Sequence, residues 1–262
     1  MANGRGAGQY VPGESWLHRL DPRSKLLATI TLAAALFIRE AWAPMAVFAV
    51  TTLAGVLVSG VSPSFFWRGL KPLVWLLVLT FVAQLFFAHG EPLARLGPLR
   101  VTQEGLATAG LLSVRLIVLV VTGLLLTVTT PPIPLTDALA WLLRPLRMVK
   151  VPTEELALMV TIALRFIPTL LSEVQTIMMA QRARGADFSR GGPVRRARAL
   201  VPVLVPLFVG SFRRADELAL AMEARCYEPG QRRTRLHPLQ AGPADAVLAL
   251  LVATVIAVAM AI

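Results

Sequence analysis

The chain has 262 residues, of which 56% are hydrophobic and 16% are charged, and its mean hydropathy is +0.67. Soluble proteins carry roughly a quarter of charged residues, so this composition excludes an ordinary soluble domain and indicates a membrane protein. The net charge of +11 comes from clustered basic residues, which does not indicate a nucleic-acid-binding surface, and the single Cys226 excludes an internal disulfide.

Five apolar runs follow the polar first 25 residues. They cover 26–38, 41–60, 72–89, 106–130 and 244–262, and the first is short for a membrane span, which needs about 20 residues. The sequence therefore predicts an all-α polytopic membrane protein with about five transmembrane helices. A count of up to seven stays open, because residues 156–171 could lie in the membrane or on it.

One basic residue, Arg115, lies inside the fourth run. An arginine within a membrane span is a functional-site candidate by default. Because Arg115 lies near one end of the run, snorkelling to the interface or a helix–helix hydrogen bond explains it at least as well.

The charges of the loops predict the orientation in the membrane. The N-terminal segment and the loop after the second run are basic, whereas the loops after the first and third runs are close to neutral. By the positive-inside rule the N-terminus is cytoplasmic and the C-terminus lies outside. Three parts follow: residues 1–130 with the first four transmembrane helices, a cytoplasmic-side region 131–243, and the last transmembrane helix 244–262. The middle part holds 16 of the 26 Lys and Arg, against 9 of the 15 Asp and Glu.

This inserted region contains three helical patterns. Residues 135–146 read as a short amphipathic helix on the membrane surface. Residues 154–183 form a longer pattern, in which Pro168 is expected to produce a kink. Residues 194–225 form a third, with a basic start and an apolar middle of about ten residues that is too short to span.

The two long patterns end in similar sequences, AQRARGADF at 180–188 and AMEARCY at 221–227. In each, an arginine lies between small residues where the helical pattern stops, at Arg184 and at Arg225. Arginine in a last turn complements the helix dipole, and local physics alone favours two ordinary helix ends. The alternative is that two helices present arginine to an acidic partner, because its planar fork binds carboxylates bidentately.

The residues show no catalytic set. Three isolated histidines have no metal-ligand spacing, and the apolar runs contain no paired carboxylates or phosphate-binding glycine loop. A self-contained ion-coupled carrier usually needs ionisable groups near the membrane midplane. The pattern therefore indicates a membrane component that works with partners.

Five segments carry a resemblance to a known family. They are HRLDPRSKL at 18–26, LTVTTPPIPLTDAL at 126–139, ELALMVTIALRFIPTLL at 155–171, and the two arginine-containing sequences. With these segments the chain resembles the transmembrane (T) component of energy-coupling factor (ECF) transporters, which are modular ATP-driven importers of vitamins and metals. The resemblance covers nearly the whole chain.

The resemblance implies a function, partners and a location. The chain would transmit the ATP-driven movement of two ABC-type ATPase subunits to a membrane-embedded substrate-binding (S) subunit for vitamin or micronutrient uptake. It would be a non-catalytic subunit in a bacterial or archaeal plasma membrane. It would bind no cofactor or metal itself, because ATP is bound by the ATPase subunits, and it would bind no nucleic acid.

The resemblance also implies roles for individual residues. The ATPase-coupling set, at the ends of two crossed coupling helices, would be Ala183, Arg184, Gly185, Ala224, Arg225 and Cys226. Cys226 departs from the family motif, which has glycine there, and this weakens the argument that a left-handed glycine cap is required. The S-subunit contact set would be Met159, Ile162, Phe166, Met178 and Met179, because methionine adapts to varied partners. Plain helix packing explains this second set equally well.

Three alternatives stay open. The chain could be the T subunit of a dedicated cobalt or nickel importer within the same family. It could be a polytopic membrane enzyme, although the required paired acids or histidines are not found. It could also be a self-contained secondary carrier, which predicts internal repeats that the apolar runs do not show.

Overall fold

In a computed structural model of the chain, residues 10–87, 92–96, 99–145, 152–188, 192–228 and 242–262 are described. The predicted α-helical fold is confirmed for these residues, with the addition of one short hairpin. The elements in chain order are α1 (Trp16–Arg19), α2 (Pro22–Ala35), α3 (Trp42–Ser59), α4 (Pro63–Leu70), a 3-10 turn (Lys71–Leu73), α5 (Val74–Phe87), β1 (Pro92–Leu96), β2 (Leu99–Thr102), α6 (Gln103–Thr129), α7 (Pro132–Leu142), α8 (Thr153–Ala183), α9 (Pro193–Glu223) and α10 (Pro243–Ala261).

The hairpin of β1 and β2 connects α5 to α6, and the sequence analysis did not predict it. The strands are antiparallel, with Arg95 opposite Arg100 and Leu96 opposite Leu99. The predicted third run extended to residue 89, and its last two residues lie outside the described part of the chain.

Within the described residues, five helical segments are long and apolar enough to cross a membrane: α3, the segment Pro63–Leu85 across α4 and α5, α6, α8 and α10. The number agrees with the prediction, but one member differs. The predicted first run falls on α2, which has only 14 residues, and α8 with 31 residues meets the criterion instead. A hydrogen-bonded turn nevertheless follows α2 as far as Ile38, where the N–H groups of Phe37 and Ile38 donate to carbonyls three residues before them.

The described residues fall into two compact units. The larger consists of residues 8–142 and 237–262, and the smaller contains residues 143–236. In the larger unit α2, α3, α6 and α10 pack around a core of Leu36, Met45, Phe48, Leu111, Val118 and Val255. The short α7 packs against α2 in this unit, although the sequence analysis grouped it with the inserted region.

A buried carboxylate joins two distant parts of the larger unit. Asp245, in the first turn of α10, accepts hydrogen bonds from the backbone N–H of Asp21 at 2.9 Å and from the Ser24 hydroxyl at 2.5 Å. Its second oxygen accepts from the backbone N–H of Gly242 at 2.7 Å. A buried charge needs such partners, so the starts of α2 and α10 are held together.

Lys25 extends this junction to the end of α6. Its ammonium donates to the carbonyl oxygen of Thr129 at 3.0 Å and lies 3.4 Å from the hydroxyl of Thr130. Those atoms lie at the C-terminal end of α6, where carbonyl groups lack helical partners. The start of α2, the end of α6 and the start of α10 therefore meet at one place, which is called the polar junction below.

Arg115 is 3% exposed and makes contacts that explain its position in α6. Its guanidinium donates to the Glu40 carboxylate and to the backbone carbonyl of Arg39, both at 3.2 Å, and it lies over the ring of Phe37. These contacts join α6 to the connection between α2 and α3. Arg115 therefore makes hydrogen bonds within the protein, but with a loop, whereas the sequence-based interpretation was a helix–helix hydrogen bond.

Candidate functional site: two arginine-ended helices

The smaller unit contains α8 and α9, each of 31 residues. Helix α8 begins after Pro152 and has Glu154 and Glu155 in its first turn, where acidic side chains favour the positive end of the helix dipole. Helix α9 begins with Pro193 in its first turn, a position that tolerates proline because the missing N–H has no helical partner. The predicted helices 154–183 and 194–225 are confirmed to within two residues.

Helix α8 ends in a Schellman motif, in which one left-handed residue closes the helix. Gly185 has a φ of +89°, and its N–H donates to the carbonyl of Arg182 at 2.9 Å. The N–H of Ala186 donates to the carbonyl of Gln181, also at 2.9 Å. Arg184 is the last residue before the left-handed glycine, so the cap sets where its side chain leaves the helix.

Helix α9 ends in the same motif, but with cysteine in the left-handed position. Cys226 has a φ of +58°, and its N–H donates to the carbonyl of Glu223 at 2.9 Å. The N–H of Tyr227 donates to the carbonyl of Met222 at 2.9 Å. The left-handed cap is therefore retained without glycine. A residue with a Cβ is less stable in this conformation by about 1–2 kcal/mol.

The arginines of the two ends are exposed, as are their small neighbours Ala183, Gly185, Ala224 and Cys226. Within the described part of the chain, neither Arg184 nor Arg225 lies within salt-bridge distance of an acid. The nearby Arg182 instead lies over the ring of Phe188, 5.9 Å from its centroid. Each helix thus ends in a guanidinium that can donate to a carboxylate or carbonyl of another protein.

The two helices are joined by an ion pair that the sequence analysis did not identify. The carboxylate of Glu173 on α8 accepts a hydrogen bond from Arg214 on α9 at 2.8 Å. Next to this pair lies a mainly apolar cavity of about 170 Å³, lined by Ile162, Phe166, Leu170, Ser211, Arg214, Ala215 and Leu218.

The predicted S-subunit contact residues have different environments. Met159 and Met179 are each 61% exposed, whereas Met178 is half-buried. Ile162 and Phe166 are also half-buried and line the cavity against α9, so helix packing accounts for part of their surface. The contact set as a whole stays a prediction, and the two exposed methionines are its best-placed members.

The middle of α9 carries an exposed apolar surface. Its large side chains are Val201, Leu204, Val205, Phe208, Val209 and Phe212, and all are exposed. Val203 is buried on the same helix. A contiguous apolar surface of this kind indicates contact with a membrane or with another protein.

Comparison with known proteins covers both arginine-ended helices. The profile of the family described as cobalt transport protein (CbiQ) matches residues 13–236. The energy-coupling factor transporter transmembrane protein EcfT of Thermosediminibacter oceani is 52% identical to this chain over 247 residues, which cover 94% of this chain and 92% of the relative. Proteins of the same name from Clostridium kluyveri and Acidaminococcus fermentans are 47% and 46% identical, and each alignment covers 93% of this chain and 91% of the relative.

Proposed function

The chain belongs to the family of energy-coupling factor transporter transmembrane proteins, and on this premise we propose that it couples two ABC-type ATPases to a substrate-binding S subunit. As a member it is a multi-pass membrane protein and the transmembrane component of such a transporter. The observation that carries the proposal is that α8 and α9 end in equivalent caps with exposed arginines. Two equivalent ends suit two ATPase subunits that offer equivalent docking sites.

The chemistry of each end suits a polar groove on an ATPase. Arg184 and Arg225 follow the last turns of their helices, so each guanidinium also lies near the negative end of a helix dipole. A carboxylate on the partner would accept two parallel hydrogen bonds from the planar fork, which fixes orientation as well as position. The small neighbours of each arginine allow the partner's backbone to approach closely.

Force would pass from these ends to the rest of the transporter. When the ATPases bind ATP and close, the ends of α8 and α9 would move with them. The helices would transmit this movement to the S subunit, which would contact exposed apolar surface such as that of Met159 and Met179. ATP is bound and hydrolysed by the ATPases. This chain binds the ATPases and transmits their movement to the S subunit.

The polar junction supports the predicted number of crossings. The start of α2 and the end of α6 both lie at the junction, and from its charged groups we infer that it lies at one membrane face. An even number of crossings must therefore lie between them. Because α3, α4–α5 and α6 account for three, α2 with its extension to Ile38 would be the fourth. These 17 residues would cover about 25 Å, close to the hydrocarbon thickness of about 30 Å.

The polar junction also limits how α8 can lie in the membrane. Thr129 and Asp245 both belong to the junction, so an even number of crossings must lie between them as well. If α8 crossed the membrane, α9 would have to return, and α9 is not among the helices that are long and apolar enough. We therefore propose that neither α8 nor α9 crosses the membrane and that the inserted region is cytoplasmic, as its basic residues predict. The five spans are then α2, α3, α4–α5, α6 and α10, with the C-terminus outside.

The cargo has two candidate classes. The family description names cobalt transport, whereas the relatives are named for the energy-coupling factor transporter without a cargo. We propose a vitamin or micronutrient importer, with a dedicated cobalt or nickel importer as the alternative. The S subunit that accompanies the chain decides between them.

Co-purification from membranes tests the proposal. A tagged wild-type chain is compared with the Arg184→Ala, Arg225→Ala double variant, and the captured proteins are identified. Wild type should bring down two ABC-type ATPases and a small membrane protein, and the double variant should lose the ATPases. The control is the Arg182→Ala, Arg213→Ala double variant, which removes two other exposed arginines from the same helices. This variant should still capture the ATPases. Wild type without any ATPase would contradict the proposal.

A further inference from the structure

The ion pair between α8 and α9 is closely fitted to the helix backbones. Nη2 of Arg214 lies 2.8 Å from Oε2 of Glu173, and the side chains of Glu173 and Arg214 are 26% and 32% exposed. A Cβ added to Gly210, one turn before Arg214, would lie 3.1 Å from the Glu173 carboxylate. The absence of a side chain at Gly210 thus lets the carboxylate lie directly against the backbone of α9.

The pair lies at equal distances from the two arginine ends. Arg184 follows Glu173 by eleven residues, and Arg225 follows Arg214 by eleven. At the rise of an α-helix each arm is about 16 Å long. A contact at this point therefore divides α8 and α9 into two arms of matched length.

Apolar packing around the pair is incomplete. The cavity of about 170 Å³ lies against Arg214, and Nη1 of Arg214 is buried without a hydrogen-bond partner among the described residues. The cavity is open on one side, so the apolar side chains that line it are not packed against α9 on all sides. Without Glu173, Arg214 would keep a half-buried charge with no acid to pair with it.

We propose that Glu173 and Arg214 are positioning residues, which fix the crossing of α8 and α9 so that the two arginine ends have a set separation before the ATPases bind ATP and close. The proposal rests on the proposed function, because the set separation would match the two ATPase docking sites. The pair acts by holding the two helices together at their crossing while the arginine ends move with the ATPases.

A distance measurement tests the geometric part. Spin labels are attached to Ala180→Cys and Ala221→Cys, which are exposed and lie one turn before each arginine, in the full chain carrying Cys226→Gly. The chain is studied in lipid nanodiscs. The distribution of distances between the two labels should be narrow with the pair intact and broad in the Glu173→Gln and Arg214→Gln single variants. It should be narrow again in the double variant Glu173→Arg, Arg214→Glu, which exchanges the two charges. A distribution that stays narrow in both single variants would overturn the proposal.

A transport measurement tests the functional part, with Cys226 unchanged and the assembled transporter in vesicles. Glu173→Gln should lower the cargo imported per ATP hydrolysed about tenfold, the population change expected when a charged hydrogen bond is lost, and the charge-exchanged pair should restore it. Glu217→Gln is the matched control, because Glu217 pairs with Arg213 within α9 at 3.9 Å and does not join the helices.

The outcomes separate this inference from the proposed function. A broadened distance with unchanged import per ATP would overturn the positioning role while leaving the T-subunit assignment intact. A loss of import that the charge-exchanged pair does not restore would also overturn it. A wild-type chain that gives no ATP-dependent import with its ATPases would instead contradict the proposed function itself.

Discussion

The ends of α8 and α9 use the same backbone hydrogen bonds around different residues. In both, the residue after the arginine is left-handed and the next N–H reaches back to the carbonyl five residues before it. Glycine occupies the left-handed position in α8 and cysteine occupies it in α9. The comparison teaches that the cap geometry, and not the glycine itself, places the arginine. Glycine lowers the cost of that geometry.

The largest expected effect comes from reversing the charge at each end. Arg184→Glu and Arg225→Glu should each reduce ATP-driven uptake about 100-fold, because like charges at an interface cost several kcal/mol. Uptake of cargo into vesicles that contain the full transporter measures this. Equal losses support equivalent ends. Normal uptake with Arg184→Glu would contradict the role of that end, and a loss at one end only would break the comparison.

A smaller effect on ATPase binding is expected when the positive charge is kept but the planar guanidinium group is removed. Arg184→Lys and Arg225→Lys should each weaken capture of the ATPases about tenfold, because lysine cannot donate two parallel hydrogen bonds from a planar group. Titration of the purified ATPases onto the chain in nanodiscs measures the affinity. Unchanged affinity in both variants would show that the arginines act as point charges.

The sequence was sufficient to predict the helices that carry these ends. Acids at Glu154 and Glu155 marked the start of α8, and the small residues around Arg184 marked its end. It was not sufficient for contacts between distant segments. Asp21 and Asp245 are 224 residues apart, and no local pattern indicates that they meet.

The left-handed cap at Cys226 also lay beyond local prediction. Glycine is the usual signal for such a cap, so a cysteine in its place favoured a less specific helix end. The structure retains the cap because the N–H groups of Cys226 and Tyr227 find the same carbonyl partners as those of Gly185 and Ala186. The local backbone hydrogen bonds of the cap therefore outweigh the residue preference.

Substitution of a β-branched residue at the left-handed position tests whether the two caps have the same backbone geometry. Gly185→Val and Cys226→Val should both open the caps, because a branched side chain in this region is strained by about 1–2 kcal/mol or more. Hydrogen exchange at the amides of Ala186 and Tyr227 should become faster in the respective variants. If exchange changes at only one end, the two caps are not equivalent.

The smallest effect is expected from making the two ends alike. Cys226→Gly should stabilise the end of α9 by up to about 1 kcal/mol, because glycine adopts positive φ without a Cβ clash. Exchange at the Tyr227 amide should become slower, and transport should be unchanged. Loss of ATPase capture in this variant would mean that the cysteine side chain takes part in docking.

The central claim is that both helix ends are covered by ATPase subunits, and the single Cys226 allows a direct test. The rate of maleimide labelling is measured for the wild-type chain and for the Gly185→Cys, Cys226→Gly variant, with and without the ATPases. The Ser172→Cys, Cys226→Gly variant, whose label lies on α8 away from its end, is the control. Both ends should be labelled quickly in the free chain and slowly in the complex, with the control unaffected. Equal labelling of either end with and without bound ATPases would contradict the account.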